Sequence, residues 1–179
     1  MRNRKLLMLK LILQKDGLKR ADYLKKNKIF HNQGENCYYH PWKIPSEPFL
    51  MAMHNNVVVC ANVTFVTHDI LNRMLDYAPK FKEMGTCKFY MGTIELFDNV
   101  FIGANSIIMY NTKIGSNSIV AAGSVVTKDV PEGAIVGGNP AVVIGYVDEL
   151  VKKRLGKLDM PARLDEEEII NKYFWNNNI

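Results

Sequence analysis

The stretch LFDNVFIGANSIIMYNTKIGSNSIVAAGSVVTKDV, residues 96–130, decides the fold. Every sixth residue from its start is aliphatic: Leu96, Ile102, Ile108, Ile114, Val120 and Val126. Four places after each stands a small or β-branched residue: Val100, Ser106, Thr112, Ser118, Ser124 and Val130. The residue after the aliphatic is often tiny, as at Gly103, Gly115 and Ala121. A helix repeats its face at ~3.6 residues and a strand at ~2, so a period of six fits neither as a long element. It fits a short strand and a corner, repeated: an all-β solenoid of hexapeptide repeats with the aliphatics stacked in a narrow core.

Working outward, the run Asn56-Val57-Val58-Val59-Cys60-Ala61-Asn62 mirrors Asn99-Val100-Phe101-Ile102-Gly103-Ala104-Asn105. The offset of 43 residues is not a multiple of six, so an insertion separates the copies, placed at residues 69–92. Loops of that length in a compact domain tend to be functional. Before the repeats, Leu6, Leu9 and Leu13 share one helical face and residues 18–28 suit a second helix. After them, residues 148–155 read as a helix, and Asp165 is placed to cap a last one over 166–175. The expected organisation is a helical segment 1–30, a solenoid 31–146 and a helical segment 147–179. The end helices would cap the exposed core and edges of the solenoid. The basic first helix has a second reading, attachment to a membrane surface.

Composition sets the outer bounds. The chain has 179 residues, 47% of them apolar types and 23% charged, which suits one folded domain rather than a disordered chain. The formal net charge is +5, with many of the lysines in the first 28 residues. No zinc-finger, helix-turn-helix or RNA-recognition pattern accompanies it, so nucleic acid is not an expected partner. No apolar run approaches the ~20 residues needed to span a bilayer. Lys10 interrupts the apolar start and no small-residue cleavage site follows, which argues against a signal peptide. Cys37, Cys60 and Cys87 show neither zinc nor redox spacing, and a reduced, cytoplasmic protein is the expectation.

The segment from Ile102 to Gly145, with VTKDVP at 126–131 and GGNPA at 137–141, resembles the hexapeptide-repeat acyltransferases. It is similar to galactoside, maltose, xenobiotic and capsule O-acetyltransferases over residues 36–146. The resemblance implies a left-handed parallel β-helix and a homotrimer with active sites between subunits. The implied co-substrate is acetyl-CoA, with no metal required. The implied reaction is transfer of acetyl to a sugar or glycan hydroxyl by direct attack on the thioester. A neutral imidazole is the side chain suited to take the hydroxyl proton near neutral pH.

Of His31, His40, His54 and His68, the last ends the NVT-containing hexad where the pattern gives way to the insertion. The family's catalytic histidine has the matching position. Asp69 adjoins it and is placed to orient a ring or an acceptor. Tyr38 and His40 match acceptor-contacting positions, although the family has asparagine where His40 stands. Glu47 lies near a family acidic contact and receives no role. The run Pro41–Pro45, with Trp42, offers either a stacking surface for a sugar or a lid on the core. On the donor side the resemblance assigns Ala104, Ala122, Thr127, Lys128 and position 142 to coenzyme A. The family has Arg or Lys where Val142 stands, and Lys152, Lys153 or Arg154 is the expected substitute. The other readings are N-acetylation of an amino sugar, a non-catalytic scaffold, and a metal-dependent hydratase resembling γ-class carbonic anhydrases. The last needs three converging histidine ligands.

Overall fold

The computed structural model describes residues 4–155, together with 170, 171 and 175. It divides into two units, Met1–Val147 and Asp148–Ile179. The helix expected over 166–175, with its cap Asp165, falls outside the described residues save for those three.

The first unit opens with α1 (Arg4–Ile12) and α2 (Gly17–Lys26). Asp16 caps α2 by accepting the Lys19 N–H at 2.8 Å. Short strands follow: β1 (Asn32–Gln33), β2 (Tyr38–Tyr39), β3 (Met51–Met53), β4 (Val58–Val59), β5 (Thr64–Val66) and β6 (His68–Asp69). Two helices come next, α3 (Leu71–Tyr77) and α4 (Pro79–Lys82). Then come β7 (Tyr90–Met91), β8 (Ile94–Leu96), β9 (Phe101–Ile102), β10 (Ile107–Met109), β11 (Thr112–Ile114), β12 (Ile119–Val120) and β13 (Val125–Val126). The unit ends with the antiparallel pair β14 (Ala134–Gly138) and β15 (Ala141–Tyr146).

These strands form three parallel faces. The first has the order β1-β3-β8-β11, the second β15-β14-β12-β9-β4-β2, and the third β13-β10-β5. The chain visits first, second and third face in turn, so each circuit is one coil of a three-sided solenoid. Registers give the coil length directly. Ile94 pairs with Thr112, Phe101 with Ile119 and Ile107 with Val125, each 18 residues apart, or three hexads. One coil earlier, Met51 pairs with Ile94, Val58 with Phe101 and Thr64 with Ile107, each 43 apart. The odd offset in the sequence is therefore one coil plus 25 inserted residues. They leave the coil as the antiparallel ribbon β6–β7, which carries α3 and α4.

The repeat chemistry explains the shape. Leu96, Ile102, Ile108, Ile114 and Val120 are fully buried and Val126 is 1% exposed, each stacked on its counterpart in the next coil. Burying each such side chain contributes about 2 kcal/mol. Ser106, Thr112, Ser118 and Ser124 are buried too. Their hydroxyls are satisfied by carbonyls: Ser106 and Ser124 donate to Ala121 O, Ser118 to Pro131 O, and Thr112 to Met109 O. The corners are turned by left-handed asparagines, with φ between 55° and 61° at Asn56, Asn62, Asn99, Asn105, Asn111 and Asn117. Asparagine tolerates that conformation better than other side chains. Their amides also form ladders up the edges, Asn56 to Asn99 to Asn117 and Asn62 to Asn105.

The helical end differs from expectation in one respect. Leu7 and Leu11 are buried, whereas Leu6, Leu9 and Leu13 face outward. The helix is apolar on two sides, and the side that docks is set by packing rather than by the pattern. Arg20 seals the same end. It is 2% exposed, and its Nε and one Nη donate to Tyr39 O and Gln14 O. From Asp148 onward the second unit continues α5 (Val147–Leu155), with Asp148 and Glu149 in its first turn and Lys152, Lys153 and Arg154 in its last, the arrangement that complements the helix dipole.

Candidate active site

The period breaks at one edge of the coil, where the third face ends and the insertion begins. Val66 pairs with Met109, the last ladder residue before His68. His68 then pairs with Met91 and Asp69 with Tyr90, so the imidazole sits at the root of the inserted ribbon. Its ring lies 5.1 Å from that of Phe89.

A carboxylate meets it from a distant part of the sequence. Glu47 Oε2 lies 2.7 Å from His68 Nδ1 and accepts the Thr67 hydroxyl at 2.6 Å. Burial pushes the Glu47 carboxyl up. Hydrogen bonds from Thr67 and His68, with the charges of His68 and Arg4, outweigh it and hold the group below the usual carboxylate range. An ionised carboxylate only accepts hydrogen bonds. The Nδ1 of a neutral His68 must therefore carry the proton, which leaves the lone pair on Nε2.

Glu47 is fixed by the strap that carries it. The Arg4 guanidinium donates to the carbonyls of Ile44, Pro45 and Ser46, at 3.1, 3.0 and 2.7 Å. Pro48 then opens a short 3₁₀ turn, Pro48–Leu50, directly after Glu47. Asp69 has other partners. Its Oδ2 accepts the Tyr110 hydroxyl at 2.7 Å and its Oδ1 the Leu71 N–H at 3.1 Å. The carboxylate oriented on the imidazole is thus Glu47 and not the adjacent Asp69. The Tyr110 hydrogen bond and the Leu71 N–H hold the Asp69 carboxyl low, and the same contact raises the Tyr110 phenol. Tyr90 and Tyr110 meet edge to face at 5.3 Å, making an aromatic wall beside the site.

The remaining sequence candidates fall in three places. Thr127 and Lys128 are exposed and follow β13, on the edge that carries His68 two coils away. Successive coils are ~4.8 Å apart, which separates the two levels by about 10 Å. Ala104 and Ala122 occupy another edge on adjoining coils, linked by Gly123 N–H to Ala104 O at 2.8 Å. Neighbouring Gly103 has no room for a side chain, since a Cβ would lie 2.4 Å from Ala122 N. Val142 is on β15, 60% exposed. Lys152, Lys153 and Arg154 belong to the second unit.

Tyr38 and His40 are on the second face, away from the His68 edge. The Tyr38 ring lies over Gly17 of α2, and the His40 ring is 6.2 Å from it. His40 Nδ1 is buried and has no hydrogen-bond partner among the described residues. In the strap, Pro41, Ile44 and Pro45 are buried, and the Arg20 guanidinium covers the Trp42 ring at 4.3 Å. That segment is chiefly a lid on the core. Glu47 and Thr67 beside His68, and Tyr110 on Asp69, are site residues that the spacing did not single out. Among the described residues, no three His, Cys, Asp or Glu side chains converge to hold a metal ion.

Comparison with known proteins bears on the fold and the family. The family model for bacterial transferase hexapeptide (six repeats) matches residues 93–128. A Clostridium perfringens protein named 2,3,4,5-tetrahydropyridine-2,6-dicarboxylate N-acetyltransferase is 53% identical over 62 residues, covering 35% of this chain and 26% of its own. The chain spans 55% of the length of a Bacillus subtilis relative that it matches at 34% identity. Galactoside acetyltransferase, solved in complex with coenzyme A, is similar in structure, with a TM-score of 0.59, 25% identity, and coverage of 83% of this chain and 80% of that one. Protein CapG of Staphylococcus aureus is 38% identical over 133 residues, which cover 72% of this chain and 73% of CapG. With its three-sided coil and a likeness to CapG running over most of both chains, the protein belongs to the bacterial transferase hexapeptide family.

Proposed function

We propose that the protein is an acetyl-CoA-dependent O-acetyltransferase acting on a sugar or glycan hydroxyl, with His68 as general base. The observation that carries this reading is the His68–Glu47 pair at the edge of the coil. Glu47 fixes Nδ1 as the donor, so Nε2 is the atom that takes the proton from the acceptor hydroxyl. The hydroxyl oxygen attacks the thioester carbonyl of the co-substrate, the C–S bond breaks, and the proton passes from His68 to the departing thiolate. Glu47 stabilises the imidazolium in between. No protein nucleophile is needed, because the thioester is already activated.

The likeness to a galactoside acetyltransferase with bound coenzyme A supports both the co-substrate and a sugar-type acceptor. We assign Thr127 and Lys128 to the phosphate and pantetheine end, with Lys128 acting as a point charge. Ala104 and Ala122 give small walls where pantetheine passes. They lie on a different edge from His68, which fits a left-handed coil assembled as a homotrimer in which one subunit's donor wall faces another's histidine. Tyr38 and His40 are assigned to the acceptor. This assignment rests on the sequence resemblance, and in a trimer the second face of one subunit would have to meet the His68 edge of another. Val142 lies on the donor path without supplying the expected charge. The three-segment organisation, 1–30, 31–146 and 147–179, and a cytoplasmic location belong to the same reading.

The test is thiol release from acetyl-CoA across a panel of sugars, amino sugars and glycan fragments, run beside His68→Ala. Activity with hydroxyl acceptors that is lost in the variant supports the proposal. Full activity in the variant overturns the mechanism, and turnover confined to amines overturns the acceptor class.

A further inference from the structure

We infer that the outer face of α1 docks the protein onto an anionic phospholipid surface. The helix has two apolar sides. Leu7 and Leu11 are spent on the end of the coil, while Leu6, Leu9, Ile12 and Leu13 remain 50%, 57%, 49% and 71% exposed. Leu6, Leu9 and Leu13 are spaced i, i+3, i+7 and form one outward stripe. Leu18, 57% exposed at the start of α2, follows the connecting turn.

Charge selects the occupant. Residues 1–28 hold ten Lys and Arg against two Asp, a surplus larger than the +5 of the whole chain, so the rest is net acidic. Lys10, Lys15 and Lys19 are exposed on or next to the apolar stripe. An apolar stripe with lysine flanks is the composition of helices that lie in the plane of a membrane interface. A second copy of the chain is the poorer occupant. Two-fold pairing would bring two copies of the same lysine-rich face together, whereas anionic headgroups complement it. Among the described residues no helix is long and apolar enough to cross a membrane, so the docking is peripheral.

The face is tied to the candidate site. Arg4 of α1 holds the carbonyls of Ile44 to Ser46, and Glu47 is the next residue. The same helix thus carries the outward apolar stripe and, through Arg4, holds the strap that ends at Glu47. The inference rests on exposure and charge and not on the proposed reaction.

The experiment is co-sedimentation of the full chain with vesicles of phosphatidylcholine alone and of equimolar phosphatidylcholine and phosphatidylglycerol. Circular dichroism melts and light-scattering masses are recorded for every variant. Binding to the anionic vesicles only, weakened by salt, is expected. Leu9→Glu with Leu13→Glu should abolish it. Lys10→Gln and Lys15→Gln should weaken it roughly fivefold each, without touching the apolar stripe. No binding to anionic vesicles overturns the inference, as does binding that neither pair of substitutions alters. A drop in solution mass on Leu9→Glu and Leu13→Glu, with no vesicle binding by the wild type, overturns it in favour of a second copy.

Discussion

Replacing Glu47 by Gln changes one atom and removes one charge, and the structure fixes what should follow. Both short contacts, from Thr67 at 2.6 Å and His68 at 2.7 Å, end on the same oxygen. A glutamine can present its oxygen to both donors, so the geometry and the His68 tautomer survive. What is lost is the charge. A hydrogen bond to a charged partner contributes ~1.5–3 kcal/mol and a neutral one ~0.5–1.5, a difference of about 1–1.5 kcal/mol. If that difference acts on the imidazolium formed during proton transfer, kcat falls about tenfold. A fraction of molecules with the amide turned, its NH₂ towards Nδ1, would put the proton on Nε2 and lower kcat further. Steady-state thiol release with the best acceptor reads this directly, with the KM for acetyl-CoA unchanged because Glu47 contacts Thr67 and His68 rather than the residues assigned to coenzyme A. A kcat within about twofold of wild type, or a raised KM at constant kcat, would refute the positioning role. Stability supplies a second reading. The Glu47 carboxyl lies below its ordinary range when folded, so its contribution is complete above the unfolded carboxylate value and fades as pH falls through the folded one. The Tm advantage of wild type over Glu47→Gln should therefore be largest near neutral pH and close in acid.

Other expectations are more local. Lys128→Ala should raise the KM for acetyl-CoA without abolishing kcat, and an unchanged KM would remove Lys128 from the donor site. Asn99 adopts φ 59° and hydrogen-bonds both Asn56 and Asn117. Asn99→Ala should cost about 1–3 kcal/mol in chemical denaturation, and Asn99→Gly less, because glycine relieves the backbone conformation but not the lost ladder. Gly103→Ala should lower the Tm, since its Cβ would meet Ala122 N at 2.4 Å, where only backbone can yield. Overpacking of this kind costs about 1–3 kcal/mol, and an unaltered melt would show that the coils can separate there.

The coil was legible because the same constraint recurs at every circuit. Leu96 to Val126 repeat at six, and the 43-residue offset between the asparagine-flanked runs reappears as strand register. The edge position of His68 was legible for the same reason, as the point where the period fails. Glu47 was not. It sits on a strap outside the repeat, between Ser46 and Pro48, and meets His68 only when the coil closes. Tyr110 is hidden in another way, inside a repeat whose outward positions carry no pattern. For α1 the periodicity was real on both sides of the helix. Nothing in Leu6, Leu9 and Leu13 as against Leu7 and Leu11 reveals which side meets the core, because that depends on the shape of the coil end.

The central claim is that His68 supplies the base. Its most direct test is kcat for acetyl transfer to a hydroxyl acceptor in His68→Ala, with coenzyme A binding measured by calorimetry on the same preparation. Loss of a positioned general base lowers the rate by roughly 10²–10⁴-fold, and coenzyme A affinity should remain as in wild type. Wild-type kcat in this variant, with coenzyme A bound normally, would contradict the account.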